Sequence, residues 1–186
     1  MTRALSFVLA LAFLGALTSS AQSNYYPSKV GLKWTYSSGE TQQYVREDTV
    51  FNTRVLVMQR ILDGKVIREE YLQSSADGVV LMGLKANNQY FRYQPPITVY
   101  PKAPLKVGAT WTATSGEGAG KFTITSSVTA TAGAKSKAGR FNAFIINSVV
   151  TTADGATSSN DLYFVPSIGT VRYVYQDGST IDLVSR

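Results

Sequence analysis

One seven-residue motif occurs twice in this chain and constrains the fold more than any other feature. Residues 29–35 read KVGLKWT and residues 106–112 read KVGATWT, each a few positions after a Tyr-Pro pair. Both tryptophans of the protein, Trp34 and Trp111, lie in these copies. The glycine allows a sharp turn into a strand, and a Trp is large enough to fill one end of a sheet or barrel. The motif predicts a duplicated β-unit in which both tryptophans fill the core. The alternative role of the two tryptophans is to stack on a sugar or to contact lipid.

A second set of landmarks supports the duplication and shows where the halves differ. Asp63 and Asp154 are each followed by a glycine, by an acidic residue seven positions on, and by another glycine fifteen positions on. The interval from Gly31 of the first motif to Asp63 is shorter than the corresponding interval from Gly108 to Asp154. The second half has therefore gained residues between these landmarks. An added or lengthened hairpin is the simplest interpretation.

Runs of β-branched and aromatic residues, each of strand length, follow one another along the chain, and no segment has the pattern of a long helix. An Asp-Gly pair favours a two-residue hairpin turn, because a type I′ turn needs positive φ at both central residues. Such pairs begin at Asp63, Asp77, Asp154 and Asp177. The predicted strands after the first motif are 43–51, 53–62, 65–73, 79–85, 89–94, 110–115, 121–131, 141–152, 158–165, 170–176 and 180–184.

Four prolines between positions 95 and 104 interrupt these strands. Proline donates no hydrogen bond to a strand ladder, so the cluster predicts a short junction between the two halves within one domain. We therefore predict an all-β fold, a duplicated antiparallel meander that forms a barrel or half-barrel. The two repeats would cover about residues 25–98 and 99–186.

The amino-terminal segment, residues 1–21, has the features of a secretory signal peptide. Arg3 is its one charged residue, an apolar run follows at once, and Ser19 and Ala21 supply the small residues that signal peptidase reads. A membrane anchor is the alternative, but the apolar run is shorter than the stretch of about 20 residues that a helix needs to span a bilayer. The sequence predicts cleavage after Ala21, which leaves residues 22–186 as a single β domain.

The chain contains no cysteine and no histidine. An exported protein without cysteine fits the bacterial envelope better than a small eukaryotic secreted scaffold, and there is no lipobox cysteine to carry a lipid. A Ser-His or Cys-His nucleophile and the usual zinc, haem and copper sites are excluded. We predict no metal and no cofactor, and a location in the periplasm, cell envelope or cell surface.

Carboxylates are the main catalytic groups that remain, and their spacing does not favour an enzyme. A glycosidase needs two carboxyl groups about 5–9.5 Å apart. None of the 12 acidic residues has an acidic partner two positions away on the same strand face. Only cross-strand pairs could supply the two carboxyl groups, and the residues available for such pairs are Glu47, Asp48, Glu69, Glu70 and Asp161. We predict that the protein is not an enzyme.

Tyrosines supply most of the binding potential of the sequence. Two segments, residues 90–93 and 172–175, alternate aromatic and basic side chains. Such surfaces stack sugars, nucleobases or extended lipid-like ligands. Cross-strand tyrosine ladders that only stabilise a sheet are the structural alternative. The candidate ligand-binding residues are Trp34, Trp111, Tyr90, Tyr93, Tyr173 and Tyr175.

The charge of the chain is moderately positive and spread evenly. Without Arg3 there are 17 basic and 12 acidic residues, a net charge of +5 with no basic run. This field favours polyanions in general, whether polysaccharide, lipid headgroups or nucleic acid, and the plain alternative is a soluble surface. No specific nucleic-acid partner is predicted.

Four segments together resemble a known group of proteins. They are YPSKVGLKWTY at 26–36, PLKVGATW at 104–111, AGRFNA at 138–143 and YFVPSIGTVR at 163–172. This set resembles one found in uncharacterised secreted bacterial proteins and lipoproteins of the domain-of-unknown-function type, with a repeated P-x-x-x-G-x-x-W pattern. The resemblance covers nearly all of residues 22–186 and implies an extracytoplasmic all-β module. In topology the chain also resembles the lipoprotein-carrier half-barrels of the bacterial envelope, whose concave sheet holds acyl chains.

Hypotheses from different functional classes follow. The leading one is a non-catalytic cell-envelope protein, an accessory subunit of a surface or outer-membrane assembly, with an envelope or surface-layer protein as partner and at most peripheral membrane contact. The alternative is a periplasmic carrier or binding protein for a lipid-like ligand or polysaccharide, and a carboxylate-dependent hydrolase is third. A cavity lined by Val, Leu and Tyr would favour the carrier. A filled core with a flat apolar patch on its outer face would favour the accessory subunit, and a pair of acidic residues in a cleft would favour the hydrolase.

Overall fold

The computed structural model describes residues 25–186, so the predicted signal peptide lies outside the described residues. Twelve antiparallel strands form one sheet that curls into a nearly closed barrel with one unsealed seam. The strands are β1 (Lys33–Tyr36), β2 (Thr41–Val50), β3 (Thr53–Leu62), β4 (Lys65–Ser75), β5 (Gly78–Ala86), β6 (Gln89–Tyr100), β7 (Thr110–Ser115), β8 (Phe122–Ser136), β9 (Gly139–Thr152), β10 (Thr157–Val165), β11 (Gly169–Tyr175) and β12 (Thr180–Ser185). The predicted all-β class is confirmed.

Each strand pairs with its neighbour in sequence, except that β6 does not pair with β7. β1 also pairs with β12, with Thr35 opposite Ser185 and Tyr36 opposite Leu183, and this joins β1–β6 and β7–β12 into one sheet. β6 and β7 are the two outer strands of the sheet and flank the seam. The predicted antiparallel meander and barrel are therefore confirmed, while the duplication stays a prediction from the sequence.

The two copies of the repeated motif have the same backbone hydrogen bonds. Gly31 has a φ of +93°, and its N–H donates to the carbonyl of Tyr44 at 2.8 Å. Gly108 has a φ of +89°, and its N–H donates to the carbonyl of Val128 at 2.8 Å. Because L side chains rarely adopt such φ values, the motif needs glycine at both positions. Each glycine turns the chain into the first strand of its half.

The hairpin of β8 and β9 contains the longest strands of the barrel. β8 has 15 residues and β9 has 14, whereas β2 and β3, which follow the first copy of the motif, have 10 each. The longer hairpin lies in the window where the sequence places the extra residues of the second half. The structure therefore shows a lengthened hairpin there.

Strand β6 differs from the prediction at its proline pair. The sequence predicts that this strand ends before Pro95, but β6 continues through Pro95 and Pro96 as far as Tyr100. The strand lies at the edge of the sheet, and its pairing with β5 shifts between Leu81 and Gly83. Proline is tolerated at an edge or a bulge, because no ladder N–H is needed there.

The Asp-Gly pairs form the predicted two-residue turn only once among residues 25–186. Asp63 and Gly64 have φ values of 50° and 74°, as a type I′ turn requires. At the other three pairs the glycine alone has positive φ. The turns that begin near Asp154 and Asp177 are longer than two residues, and Gly78 lies at the start of β5. These longer or shifted turns do not need an aspartate at positive φ.

The core has two parts on opposite faces of the sheet. The larger part fills the barrel interior and includes Trp34, Tyr36, Phe164 and Leu183, all at most 6% exposed. The smaller part consists of Val55, Val57, Tyr71 and Met82 on the other face of the first half. Between residues 25 and 186, the structure contains no helix with the length and apolar character of a membrane span.

Two glycine substitutions test how tightly the turns are packed. Gly155→Ala should cost about 1–2 kcal/mol, because Gly155 has a φ of +84° but its Cβ would meet no atom within 4 Å. Gly78→Ala should cost a further ~1–3 kcal/mol, because its Cβ would overlap the carbonyl oxygen of Tyr100. Chemical denaturation measures both losses. Equal losses for the two variants would contradict this packing.

Candidate functional site

A cavity of about 240 Å³ lies inside the barrel. Most of its wall is apolar and aromatic, and polar side chains from β2, β3, β4 and β11 gather on one side. The apolar wall includes Trp34, Tyr44, Leu72, Leu81, Val99 and Phe164. The polar side includes Gln42, Arg60, Glu70 and Tyr173. The cavity therefore offers ring faces and hydrogen-bonding groups to one ligand.

Stacked aromatic rings close one end of the cavity. The ring of Tyr26 stacks on that of Tyr100 with centroids 4.9 Å apart and planes 6° from parallel. The buried ring of Phe164 lies 5.6 Å from Tyr26 and 4.8 Å from Tyr100. The hydroxyl of Tyr26 donates to the carbonyl of Pro101 at 2.8 Å. The segment before β1 is thereby tied to the connection between β6 and β7.

Trp34 has the geometry predicted for a core plug. The side chain is 6% exposed, and its indole Nε1 donates to the carbonyl of Ile168 at 2.6 Å. A Cβ on Gly169 would lie 3.4 Å from this Nε1, so the close approach depends on glycine at that position. Trp34 also lines the cavity. One ring therefore serves both the core and the cavity wall.

Two arginines and two glutamates form a network at the polar side of the cavity. Arg60 donates to Glu40 at 2.8 Å and to Glu70 at 2.9 Å, and Arg68 approaches the same oxygen of Glu70 at 2.6 Å. Burial alone would lower the pKa of Arg60, but the carboxylates of Glu70 and Glu40 outweigh it and raise that pKa. The network balances two positive with two negative charges, so it needs no counter-ion from a ligand.

Gln42 links this network to the tyrosines of β11. Its Nε2 donates to Glu40 at 2.9 Å and to the hydroxyl of Tyr173 at 3.4 Å. The side chains of Glu40 and Arg60 are each 22% exposed, whereas Gln42 is 6% exposed. The polar side of the cavity therefore reaches solvent, and the aromatic end is closed.

The structure brings two of the six candidate ligand-binding residues into the cavity wall, Trp34 and Tyr173. Tyr175 is 40% exposed and lies two residues further along β11, on the same strand face as Tyr173. Tyr93 lies at the seam, where its ring makes an edge contact with Phe122 of β8 at 5.9 Å. Tyr93 and Tyr175 are not part of the cavity wall, so the candidate tyrosines do not form one continuous surface there.

Tyr90 and Trp111 lie apart from the cavity wall. Tyr90 is 59% exposed and stacks on Tyr71 at 5.9 Å, with Nζ of Lys85 5.1 Å from its ring. Trp111 is half-buried on β7, and its Nε1 has no hydrogen-bond partner among the described residues. The expected mixed aromatic and basic surface is therefore present around Tyr90, on the face opposite the cavity.

Glu40, Gln42, Arg60 and Arg68 are the site residues that sequence reasoning missed. A signal for Arg60 exists in the alternation of β3, because Leu56, Met58 and Arg60 share one strand face. A charged residue that continues an apolar face is costly unless it has a partner. The position of Arg60 in the sequence therefore indicates a polar group with a partner inside the barrel.

The acidic residues considered for catalysis are held by neighbouring side chains. Glu47 pairs with Arg54, Asp48 and Glu69 with Arg46, Glu70 with Arg60 and Arg68, and Asp161 with Asn147. Hydrogen bonds from Arg46 hold the pKa of Glu69 below its usual value. In the part of the chain from residue 25 onward, no three acidic side chains cluster as metal ligands. These pairs give the carboxylates a structural role.

Comparisons with known proteins give only weak structural similarity at low sequence identity. No protein family and no curated protein matches the sequence. A "putative lipoprotein" of Parabacteroides distasonis is similar with a TM-score of 0.47 and 12% identity, over 87% of this chain and 97% of that chain. A "putative exported protein with YmcC-like fold" of Bacteroides fragilis has a TM-score of 0.43 and 11% identity over the same shares. Both names are of the secreted and lipoprotein kind that the sequence resemblance implies, but similarity this weak establishes neither family nor function.

Four buried tyrosines around the cavity make the stability of the protein sensitive to alkaline pH. Burial raises the pKa of Tyr26, Tyr36, Tyr44 and Tyr100 above the usual value. In the unfolded chain these hydroxyls ionise near pH 10. Above that pH the unfolded state therefore binds fewer protons than the folded state, and stability falls as pH rises.

We expect the contribution of these tyrosines to the free energy of unfolding to be constant below about pH 10. Above that pH the free energy of unfolding should fall by about 1.4 kcal/mol per pH unit for each tyrosine. Denaturation curves across this range, with tyrosinate absorbance as a second signal, measure the slope. Tyr100→Phe should make the slope shallower. A stability that does not change above pH 10 would show that these hydroxyls ionise in the folded state.

Proposed function

We propose that the protein is an exported cell-envelope binding protein that holds a sugar unit of a glycan in the barrel cavity. The observation that carries this proposal is the cavity of about 240 Å³, walled by aromatic rings and bordered by a charge-balanced network. A cavity lined by Val, Leu and Tyr is the feature that favours a carrier or binding protein. The signal-peptide features of residues 1–21 support export.

The polar side of the cavity favours a sugar over an acyl chain. A methylene chain against Arg60 and Glu70 would remove water from charged groups without offering hydrogen bonds, which is costly. Sugar hydroxyls donate to carboxylates and accept from guanidinium and amide groups, so they match this wall. The rings of Trp34 and Tyr173 supply apolar faces for the C–H side of a sugar ring.

The size of the cavity supports a small ligand. Ligand pockets usually enclose about 300–1,000 Å³, and this cavity is slightly smaller at about 240 Å³. A single sugar ring suits that volume better than a whole lipid. The ligand would therefore insert one unit and leave the rest of the glycan outside the cavity.

Filling the cavity should weaken sugar binding without changing the charges of the cavity wall. Val99→Phe places a larger side chain in the wall and should weaken sugar binding about tenfold or more, equivalent to ~1.4 kcal/mol. Calorimetric titration with a panel of mono- and oligosaccharides, and with a fatty acid for comparison, measures this. Val107→Phe is the matched control, because Val107 is 56% exposed and away from the cavity. Binding of the fatty acid but of no sugar would contradict the proposal.

An exposed apolar patch favours a second candidate function, the accessory subunit of an envelope or surface-layer assembly. The outer patch consists of Ile67 of β4 and Tyr90 of β6, which are 44% and 59% exposed on the outer face of the first half. Phe91 is also exposed, but it is the strand neighbour of Tyr90 and points to the opposite face. Exposed apolar side chains on one face are a usual feature of protein contact surfaces. In this role the patch would contact a partner protein, while the cavity stays free.

The outer patch has its own test. The double variant Ile67→Ser and Tyr90→Ser should lose a stoichiometric partner that the wild-type protein recovers from solubilised native envelope. The same variant should bind sugar as the wild type does, because neither residue lines the cavity. Mass spectrometry of the recovered proteins measures the first result. If the wild-type protein recovers no partner, the accessory-subunit role is wrong.

A further inference from the structure

A second cavity lies on the outer face of the first half, beside the turn between β5 and β6. It has a volume of about 230 Å³, opens to solvent and shares no residue with the cavity inside the barrel. Ile67 forms part of its apolar wall, and its polar residues include Gln59, Lys85, Asn87 and Asn88. We call this space the outer pocket. It offers room for a ligand that the interior cavity does not reach.

The strand register places four side chains in one row on this outer face. Gln59 of β3 lies opposite Glu69 of β4, and Glu69 lies opposite Lys85 of β5. Lys85 in turn lies opposite Tyr90 of β6, which is 59% exposed. Neighbouring strands are about 4.8 Å apart, so the row is about 14 Å long. It runs from the outer pocket, which the first three residues line, to the exposed ring of Tyr90.

The carboxylate of Glu69 in this row is already fully engaged. One of its oxygens accepts from Arg46 at 3.0 Å and from Gln59 at 2.9 Å. The other accepts from Arg46 at 3.4 Å and from the hydroxyl of Tyr71 at 3.5 Å. The Glu69 side chain is therefore held by its neighbours and is not the acceptor that a further cation on this face would need.

Lys85 and Arg92 are two cations on the outer face without a carboxylate partner. Within residues 25–186, neither forms an ion pair. Nζ of Lys85 lies 5.1 Å from the centre of the Tyr90 ring, and the guanidinium of Arg92 lies 4.9 Å from that of Phe51. A ring face attracts a cation but leaves most of its N–H groups to other acceptors. Both cations are therefore available to an anionic ligand.

Arg92 is held beside Tyr90 by the strand and by the ring below it. The two residues are two apart on β6, so they share the outer face and are about 6.6 Å apart along the strand. Arg92 lies opposite Gly83 of β5. A Cβ on Gly83 would lie 3.1 Å from the Phe51 ring, so this ring occupies the space above the glycine. The ring thereby supports the guanidinium next to Tyr90.

The charges in and around the row leave an excess of positive charge. Arg46, Lys85 and Arg92 supply three positive charges, whereas Asp48 and Glu69 supply two negative charges. Both carboxylates pair with Arg46, so the excess of one lies at the other two cations. The interior network is balanced by contrast. Because a surface of one sign attracts ligands of the other, the outer face favours an anion.

The remaining groups of the outer pocket match a sugar better than an acyl chain. Asn87 and Asn88 are exposed in the turn between β5 and β6, and each side-chain amide both donates and accepts hydrogen bonds. Sugar hydroxyls do the same, whereas a methylene chain would remove water from these amides without replacing its hydrogen bonds. The exposed ring of Tyr90 offers an apolar surface to the C–H side of a sugar ring.

We propose that the outer pocket and Tyr90 form a second carbohydrate site, which binds a uronic acid unit of an acidic polysaccharide. The sugar ring lies against Tyr90, and its hydroxyls bond to the amides of Asn87 and Asn88. Its carboxylate pairs with Lys85, and the carboxylate of the neighbouring unit pairs with Arg92. This inference goes beyond the proposed function, because the site lies on the opposite face of the sheet from the interior cavity.

Calorimetric titration of the mature protein with oligogalacturonate tests this site. One comparison ligand is the methyl ester of the same oligomer, which keeps the sugar rings but has no charge. The other is a polyphosphate of equal charge, which has no ring to place on Tyr90. We expect the wild-type protein to bind oligogalacturonate at least about tenfold more tightly than either comparison ligand.

Variants of the two cations locate the binding. Lys85→Gln and Arg92→Gln should each weaken oligogalacturonate binding about tenfold and leave binding of the methyl ester unchanged. Lys106→Gln is the matched control, because it removes the same charge from an exposed position in the connection between β6 and β7. Neither Lys85 nor Arg92 pairs with a carboxylate, so both variants should keep the denaturation midpoint of the wild type.

The outcomes distinguish this site from the interior cavity. Val99→Phe should keep oligogalacturonate binding, and if it loses that binding the oligomer enters the interior cavity and the inference is wrong. The inference is also wrong if polyphosphate binds as tightly as oligogalacturonate, or if Lys85→Gln and Arg92→Gln bind as Lys106→Gln does. If oligogalacturonate binds through Lys85 while no neutral sugar binds, the inference stands and the proposed function is wrong.

A protein contact on the same surface is the remaining outcome. If the wild type does not bind oligogalacturonate, the inference is wrong. Loss of an envelope protein by the double variant Ile67→Ser and Tyr90→Ser would then assign the outer face to the accessory-subunit role.

Discussion

The pairing of the first strand with the last is the interaction on which the rest of the structure depends. A short ladder, with Thr35 opposite Ser185 and Tyr36 opposite Leu183, joins two six-strand halves. Without it each half would have two open edges, and exposed strand edges promote aggregation. The hydroxyl of Tyr36 adds a hydrogen bond to the carbonyl of Thr170 at 2.9 Å. Because this ladder joins the two halves into one curled sheet, the aromatic face of each half becomes part of the wall of one cavity.

The organisation into strands could be read from the sequence because its signals are local. The predicted bounds of β3 and β7 match the structure, and the turn at Asp63 and Gly64 has the predicted backbone. Pro95 and Pro96 led to a wrong predicted end for β6, because a proline breaks a strand only at a position where a backbone N–H must donate to the neighbouring strand. Whether an N–H is needed depends on the position of the strand in the sheet, and that position is a tertiary property.

The site could be predicted only in part, because it depends on which face of each strand points inward. Trp34 and Tyr173 were found by residue type, and both line the cavity. Tyr90 and Tyr93 look like one cluster in the sequence, but residues three apart on a strand point to opposite faces. Register shifts also reverse the alternation, as between Tyr44 and Arg46 on β2. The partners of Arg60 in the interior network therefore became evident only from the pairing of the strands.

The pairing of β1 with β12 has a mechanical consequence. β1 and β12 are antiparallel neighbours, so the beginning of β1 and the end of β12 lie at the same end of the barrel. A force applied between Lys33 and Ser185 would load the pairs of this short ladder one after another, as a zipper opens, instead of shearing them together. The ladders within each half, such as that of β8 with β9, lie away from this line of force. Tension between Lys33 and Ser185 would therefore open the cavity before it unfolded either half.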